Sequence, residues 1–242
     1  SIIAGAFVDF LDKGYVYKGL KPVHWCLRDR TALAEAEVEY ENHTSPSIWV
    51  RYEVLKAPIA PERRGRFFAL IWTTTPWTLP ASLALAFHPD FKYVAAEDAE
   101  GNVYLLAEDR FEPFLAETGV KLTRRAERLE GRQLEGARFR HPFLDREIVG
   151  VLADYVTLDQ GTGIVHTAPG HGAEDFLTGQ KYKLEAYAPI DEDGRFTEGL
   201  DDYRGKTVFE ANPLILDLLK RRGALIGILL LIGIVKKNAI MM

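Results

Sequence analysis

From Ser47 to Leu55 apolar and polar residues alternate (Ile48, Val50, Tyr52, Val54), which predicts a strand with one face in water. Phe67 to Trp72 is a continuous apolar run and predicts a buried strand. Lys92–Ala96 and Asn102–Ala107 predict two more, joined through the turn-forming Glu100-Gly101-Asn102. Arg146–Leu152 and Gly163–Thr167 read as strands, and shorter extended pieces are expected at Tyr15–Tyr17, Pro22–Leu27, Val38–Tyr40 and Ala186–Ile190. Helical spacing is confined to the first residues up to Gly14 (Ile3, Phe7, Phe10, Leu11), to Glu108–Glu117 before Gly119, to Ala173–Lys183 and to Glu210–Arg222. For the last of these Asn212 is the expected cap, with Pro213 in the first turn and Lys220-Arg221-Arg222 at the negative end of the dipole. Many short strands and few helices predict a mostly β core decorated by helices, an α+β fold.

The end of the chain departs from this pattern. Ala224 to Val235 contains only Ala, Leu, Ile, Val and Gly, and Lys236-Lys237 follow. A spanning helix needs about 20 apolar residues, so this stretch is too short to cross a membrane alone. Two expectations stand: a buried terminal strand or helix, or a foreign C-terminus joined to a different protein. Residues 228–242 resemble part of a transmembrane helix of the resistance-nodulation-division efflux transporters. The tail, 224–242, is therefore set apart from the rest, and no membrane contact is expected for residues 1–223.

Composition changes the picture in three ways. The 242 residues are 47% apolar and 27% charged, enough for a core that needs no disulfide or metal. The single cysteine, Cys26, and a start without a basic leader point to a reducing, cytoplasmic setting. A formal net charge of −5 excludes nucleic-acid binding through bulk charge. Local basic clusters remain as candidates to hold an RNA end: Arg63-Arg64-Gly65-Arg66, Arg124-Arg125 with Arg128 and Arg132, and Lys220-Arg221-Arg222.

Two segments carry candidate chemistry. In Trp72-Thr73-Thr74-Thr75-Pro76-Trp77-Thr78-Leu79-Pro80 a hydroxyl triplet leaves a strand, and Pro76 holds Thr75 away from helical geometry. Each hydroxyl donates once and accepts twice, which suits a ligand offering a carbonyl, ribose hydroxyls and water together. In Gly161 to Phe176, Gly161 and Gly163 allow close backbone approach, His166 lies on a strand two residues past Ile164, and Pro169 to Gly172 turn past His171 into a helix opened by Ala173-Glu174-Asp175. Asp175 suits a helix N-terminus on charge alone; the flanking histidines and Gly-rich turn favour a cation-binding role. No metal site is expected, because His166 and His171 have no cysteine partner and Cys26 stands alone. No serine or cysteine sits in a nucleophile motif, and no phosphate loop is present. No cofactor is expected.

These two segments resemble the signature regions of the editing domain of isoleucyl-tRNA synthetase, the connective-peptide insertion of a class I synthetase. In the related valyl and leucyl enzymes a Thr-Thr-Arg-Pro run stands where this chain has Thr73-Thr74-Thr75-Pro76. Gly19 to Cys26 and Ala32 to Tyr40 are similar to the same family, and the likeness runs from about Gly14 to Gly223. The resemblance implies a β-barrel-like core, with residues 1–25 joining to the synthetase catalytic domain and 26–223 forming the editing domain. It implies hydrolytic proofreading of valine on tRNA(Ile), and of valyl-adenylate, with the remainder of the synthetase and the tRNA acceptor end as partners. Asp175 would hold the α-ammonium group, and His166 would line the side-chain pocket. Thr73, Thr74, Thr75 and Thr78 would contact the ester, the terminal adenosine and the attacking water. Trp72 and Trp77 would shape the pocket, with His171 and Ser82 among the substrate contacts. Relatives commonly carry a second cysteine where this chain has Asp29, which removes a zinc ligand, and a polar amide where it has Ser82. A non-catalytic tRNA-binding remnant and a membrane-attached fusion through 224–242 are the competing readings.

Overall fold

The structure is a computed structural model and describes residues 2–59, 61, 64–237 and 240–242. The alternating stretch predicted at Ser47–Leu55 is the second half of a long strand, β3 (Glu39–Lys56), after the short β1 (His24–Cys26) and β2 (Thr31–Leu33). The apolar run is β4 (Phe67–Thr73), antiparallel to β3 with Ile48 opposite Thr73 and Glu53 opposite Phe68. There follow β5 (Ala84–Phe87), β6 (Lys92–Glu97), β7 (Val103–Ala107), β8 (Thr123–Glu130), β9 (Arg138–Arg140), β10 (Glu147–Leu152) and β11 (Ile164–Thr167). The main sheet runs β11-β5-β10-β9-β3-β4-β7-β6-β8, with β12 (Leu225–Lys237) laid antiparallel on the first half of β3. β10 with β5 and β4 with β7 are parallel pairs; the other ladders are antiparallel. A second small sheet pairs β1 with β2 and with β13 (Ile240–Met241).

The sheet curls so that β11 returns beside β4. Thr162 stitches this seam, its hydroxyl donating to the Leu70 carbonyl at 2.6 Å. No ladder between β11 and β4 closes the curl among the described residues, so the barrel-like core that the resemblance implied is an open one. Inside it lie Ile48, Val50 and Tyr52 of β3, Ile71 of β4, Leu85 and Phe87 of β5 and Phe139 of β9. The other face of β3 and β4 is also covered. Trp49, Phe68 and Leu70 pack with Phe111 and Phe114 of helix α2 (Phe111–Thr118). The alternation at 47–55 therefore marks a strand buried on both sides for part of its length, with Arg51 and Glu53 as its polar exceptions.

Among the described residues four α-helices decorate the sheet. α1 (Ile2–Asp12) buries no residue, leaving Ile2 93% and Ile3 84% exposed. α2 ends at Gly119 in the left-handed region, as predicted. α3 (Ala173–Tyr182) follows β11, and α4 (Val208–Arg221) lies over the 3-10 turn Pro76–Ala81. Two extended pieces are absent: Tyr15–Tyr17 forms no strand, and of Ala186–Ile190 only Ile190 makes an isolated bridge, to Phe196.

The cap of α4 is Thr207, not Asn212. Thr207 Oγ1 accepts from Glu210 N at 3.3 Å, and Glu210 Oε2 accepts from Thr207 N at 2.9 Å, a reciprocal capping box. The sequence Thr207-Val208-Phe209-Glu210 satisfies that spacing one turn before the Asn-Pro pair, so the helix starts earlier. Pro213 lies inside the helix, and Asn212 is free for another contact. The apolar tail takes the strand form of its two expected shapes. β12 continues α4 through Gly223 and extends the main sheet, with Ile228, Leu229 and Leu230 exposed. Among the described residues no helix is long and apolar enough to cross a membrane.

Candidate active site

The threonine segment leaves the end of β4 and turns at once into the 3-10 turn Pro76–Ala81. Proline at the first position of that turn has no N–H to lose, and Thr75 stands before it at φ −125° and ψ 69°, outside the helical region. The turn folds the hydroxyls onto one another. Thr73 Oγ1 accepts from Thr75 N at 3.1 Å and lies 3.2 Å from Thr75 Oγ1. Thr78 Oγ1 donates to Thr75 O at 2.8 Å. That donation uses the only proton of Thr78, so the 3.2 Å contact between Thr78 Oγ1 and His166 Nε2 is an N–H of His166 donating to the hydroxyl. His166 Nδ1 is then a bare acceptor, buried without a partner among the described residues. Burial holds the imidazole neutral, with its pKa lowered to about 4.

The second segment reaches the same place from β11. Gly161 and Gly163 both adopt φ +71°, and a Cβ on them would come within 2.9 Å of Trp72 and 2.4 Å of Ala107. Only glycine lets this loop press against β4 and β7. After β11 the chain turns through Pro169–Gly172 into α3, bringing Asp175 back under the strand end. Ala168 N donates to Asp175 Oδ2 at 2.9 Å, and Tyr155 OH donates to Oδ1 at 2.8 Å. Burial pushes the Asp175 pKa above the usual carboxylate range, against the lowering effect of those two hydrogen bonds. No lysine or arginine pairs with Asp175 among the described residues. His171 donates from Nδ1 to the Met241 carbonyl at 3.0 Å, and burial lowers its pKa to about 4.

A cavity of about 270 Å³ opens between these groups, lined by Trp72, Thr73, Thr74, Thr75, Thr78, Val165, His166, Ala168, His171 and Asp175. Eight of the ten residues expected from the sequence thus converge. Trp77 stands behind the lining, its ring edge-on to His171 at 5.0 Å between centroids. Ser82 lies outside it, fully buried beside Tyr52 with 3.5 Å between their hydroxyl oxygens. The cavity contains one carboxylate, several hydroxyls and two neutral imidazoles, and no nucleophile beyond those hydroxyls. The Thr74 hydroxyl makes no side-chain hydrogen bond among the described residues, which leaves it for a ligand or water. Such a set can hold a cation and orient water. Among the described residues no group of His, Cys, Asp and Glu could hold a metal ion. Cys26 instead lies 3.3 Å from Asp29 Oδ2.

Sequence reasoning missed the residues that brace this cavity. Asn212 Oδ1 accepts from Trp77 N at 3.0 Å, across 135 residues. His141, fully enclosed and with a pKa lowered to about 3 by burial, accepts from Leu144 N at Nδ1 (3.0 Å), so its Nε2 donates to Leu79 O at 2.8 Å. Arg146 donates to Pro80 O at 3.0 Å. Two side chains from the β9–β10 connection and one from α4 therefore fix the turn that carries Trp77 and Thr78. Tyr155, the donor to Asp175, was also missed. Nothing local in the sequence marks these residues, since each acts through a contact distant along the chain.

A family model described as tRNA synthetases class I (I, L, M and V) matches residues 1–209. Among curated proteins, the isoleucine–tRNA ligase of Fervidobacterium pennivorans is 46% identical over 224 residues, 93% of this chain and 24% of that protein. That of Petrotoga mobilis is 48% identical over 217 residues, 89% of this chain and 23% of that protein. The chain spans about a quarter of the length of these relatives. Among solved structures, GlLeuRS-CP1 superposes with a TM-score of 0.61 at 15% identity, covering 74% of this chain and 98% of that one. The editing domain of the P. falciparum cytosolic leucyl-tRNA synthetase gives 0.57 at 10% identity, covering 77% and 99%. Those likenesses show the fold, that of the synthetase connective-peptide editing domain. The chain belongs to the class I tRNA synthetases of the isoleucine, leucine, methionine and valine group.

Proposed function

We propose that this chain is the editing domain of an isoleucyl-tRNA synthetase and hydrolyses the ester of valine wrongly attached to tRNA(Ile). The observation that carries the reading is Asp175, a partly buried carboxylate with two hydrogen-bond donors and no cation, set in a cavity of hydroxyls. An α-ammonium group is the cation such a site lacks. Its arrival would offset the unfavourable burial of the charge, with one donor already on each carboxylate oxygen and the remaining lone pairs open to the ammonium.

The chemistry asks little of the protein. An aminoacyl ester is an activated acyl group, and its neighbouring ammonium makes the carbonyl more electrophilic. Orientation of water and ester is the main requirement. Thr74 and Thr75 are the hydroxyls placed to do this, and Thr73 and Thr78 hold Thr75 through the contacts described above. Water attacks the carbonyl carbon, the ester C–O bond breaks, and the ribose oxygen leaves with a proton supplied through water. His166, neutral and braced on Thr78, would bound the side-chain space and admit valine while refusing isoleucine. One methylene is worth about 1–3 kcal/mol in an apolar pocket, a figure for which this synthetase family is itself the standard illustration, so a second sieve has a physical reason to exist. Residues 1–25, with the exposed α1, would join the catalytic domain of the synthetase, and 26–223 would form the editing unit.

The test is deacylation of Val-tRNA(Ile) beside Ile-tRNA(Ile) by the purified chain. The reading expects hydrolysis of the valyl ester with the isoleucyl ester spared. Binding of both tRNAs with turnover of neither would favour a non-catalytic tRNA-binding remnant.

A further inference from the structure

The structure pairs most of the basic clusters of the sequence with carboxylates. Arg124 and Arg128 both pair with Glu108, Arg125 with Glu97 and Glu127, and Arg132 with Asp90 and Glu130. Lys220 meets Asp217 and Arg221 meets Asp202, while Arg63 lies outside the described residues. From two of the clusters Arg66 and Arg222 are brought together with Arg51 and Arg140 around one small cleft of about 80 Å³, while Arg64 lies outside its lining.

This cleft has a marked surplus of positive charge. Its lining carries four guanidinium groups and one carboxylate, Glu53, which pairs with both Arg140 (3.4 Å) and Arg66 (3.9 Å). His141 also lines it and is neutral, as described above. Arg222 has no carboxylate partner among the described residues. Arg51 is fixed in place: its Cζ lies 4.4 Å from the centre of the Phe68 ring, and its Nη1 donates to Tyr104 OH at 3.1 Å. Tyr104 in turn donates to Asp98 Oδ2 at 2.8 Å, so the Asp98 carboxylate is turned toward Asn102 and Tyr104. Arg66 and Arg140 keep their side chains 62% and 55% exposed, with donors free to turn.

In a chain of net charge −5 such a surplus is local, and the volume admits only two or three water-sized groups of about 30 Å³ each. That fits a tetrahedral oxyanion and not a nucleobase. Arginine forks match phosphate oxygens two at a time. We propose that the cleft formed by Arg51, Arg66, Arg140 and Arg222 binds a phosphodiester of RNA. This rests on the reading of the chain as one that receives a tRNA, and adds to it a contact at the opposite end of β4 from the threonine cavity.

The test uses uncharged tRNA(Ile) as probe, its affinity for the whole chain measured by fluorescence anisotropy from about 50 to 200 mM salt. The Arg140→Gln/Arg222→Gln double variant changes exposed side chains, and a thermal melt checks that it folds. We expect affinity about tenfold or more weaker at low salt, and a plot of log K against log salt flatter by roughly 1 for each arginine removed. Arg132→Gln, which breaks a neutralised pair, should leave both unchanged. Equal losses in the control, unaltered affinity and slope in the double variant, or no wild-type tRNA binding at low salt would each overturn the proposal. So would displacement of an acidic peptide without any effect on tRNA. Hydrolysis is read separately: the double variant should raise KM for Val-tRNA(Ile) with kcat kept. A chain that binds tRNA through these arginines but hydrolyses nothing would retire the editing reading and leave the cleft standing.

Discussion

The two ends of β4 hold opposite kinds of polar chemistry. At Phe68 the strand meets four arginines, mostly exposed, with charge in surplus and donors free to move. At Thr73 it meets hydroxyls and neutral imidazoles, bonded to one another, with one carboxylate whose charge is unmatched. The first end can attract a polyanion over distance and yields to salt. The second offers almost no long-range attraction, but it fixes the positions of a few atoms, and its chemistry yields to pH. The lesson is a division of labour on one strand pair: attraction where side chains are loose, orientation where they are locked.

The largest expected effect comes from Asp175. Replacing it by alanine should lower kcat/KM for Val-tRNA(Ile) by about 100-fold or more, the loss expected when one partner of a desolvated charge pair is removed. Equal deacylation by the variant would place the ammonium elsewhere. Next is Asn212, which reaches the cavity only through the Trp77 backbone. Asn212→Leu should cost roughly tenfold to a hundredfold in kcat, by letting the threonine turn shift, with a changed Trp77 fluorescence. Asn212→Asp keeps the acceptor and should restore most of the rate. A fold-only role would lower stability in both variants without moving kcat.

A subtler effect concerns the pH profile. Asp175 must be ionised to hold an ammonium, and its pKa is raised by burial, so kcat/KM should fall with falling pH along a limb above the usual carboxylate range. The histidines are already neutral down to about 4 and should add no limb near 6.5. A rate profile set by a group titrating near 6.5 that survives in Asp175→Asn would contradict this assignment. A separate effect is on stability. His141, His166 and His171 have folded pKa values of about 3, 4 and 4, below the ordinary 6.5. The unfolded chain therefore takes up protons first. Stability is whole above about 6.5 and is lost as pH falls through 6.5 toward 4, by up to three protons' worth. Tm measured across that range should drop, and His141→Asn should make the drop shallower.

The parts of this molecule legible in the sequence are those written locally. β4, β6 and β7 follow from apolar runs, α2 from its stop at Gly119, and the two halves of the cavity from Thr73–Thr78 and Gly161–Asp175. The rest needed the third dimension. Ala84–Phe87 is too short and too apolar to show a period, yet it becomes β5, completely buried between β10 and β11. Thr123–Glu130 is too charged to show an apolar pattern, and becomes an edge strand whose arginines sit on carboxylates of neighbouring segments. Asn212 looked like a cap because Asn before Pro is a local signal, whereas its acceptor serves Trp77. Ser82 sits one turn beyond the threonines in sequence and on the other side of the wall in space. The arginine cleft was invisible for the same reason: its four residues come from four separate segments, and the runs of basic residues that caught the eye are mostly neutralised.

The most direct measurement compares Val-tRNA(Ile) with N-acetyl-Val-tRNA(Ile), which keeps the side chain and the ester but has no ammonium, using the native chain and Asp175→Ala. The account predicts that the native chain hydrolyses the free amine form far faster, and that the variant treats the two alike at a low rate. A native chain that cleaves both esters equally would show that Asp175 does not hold the ammonium group, and the central assignment would fall.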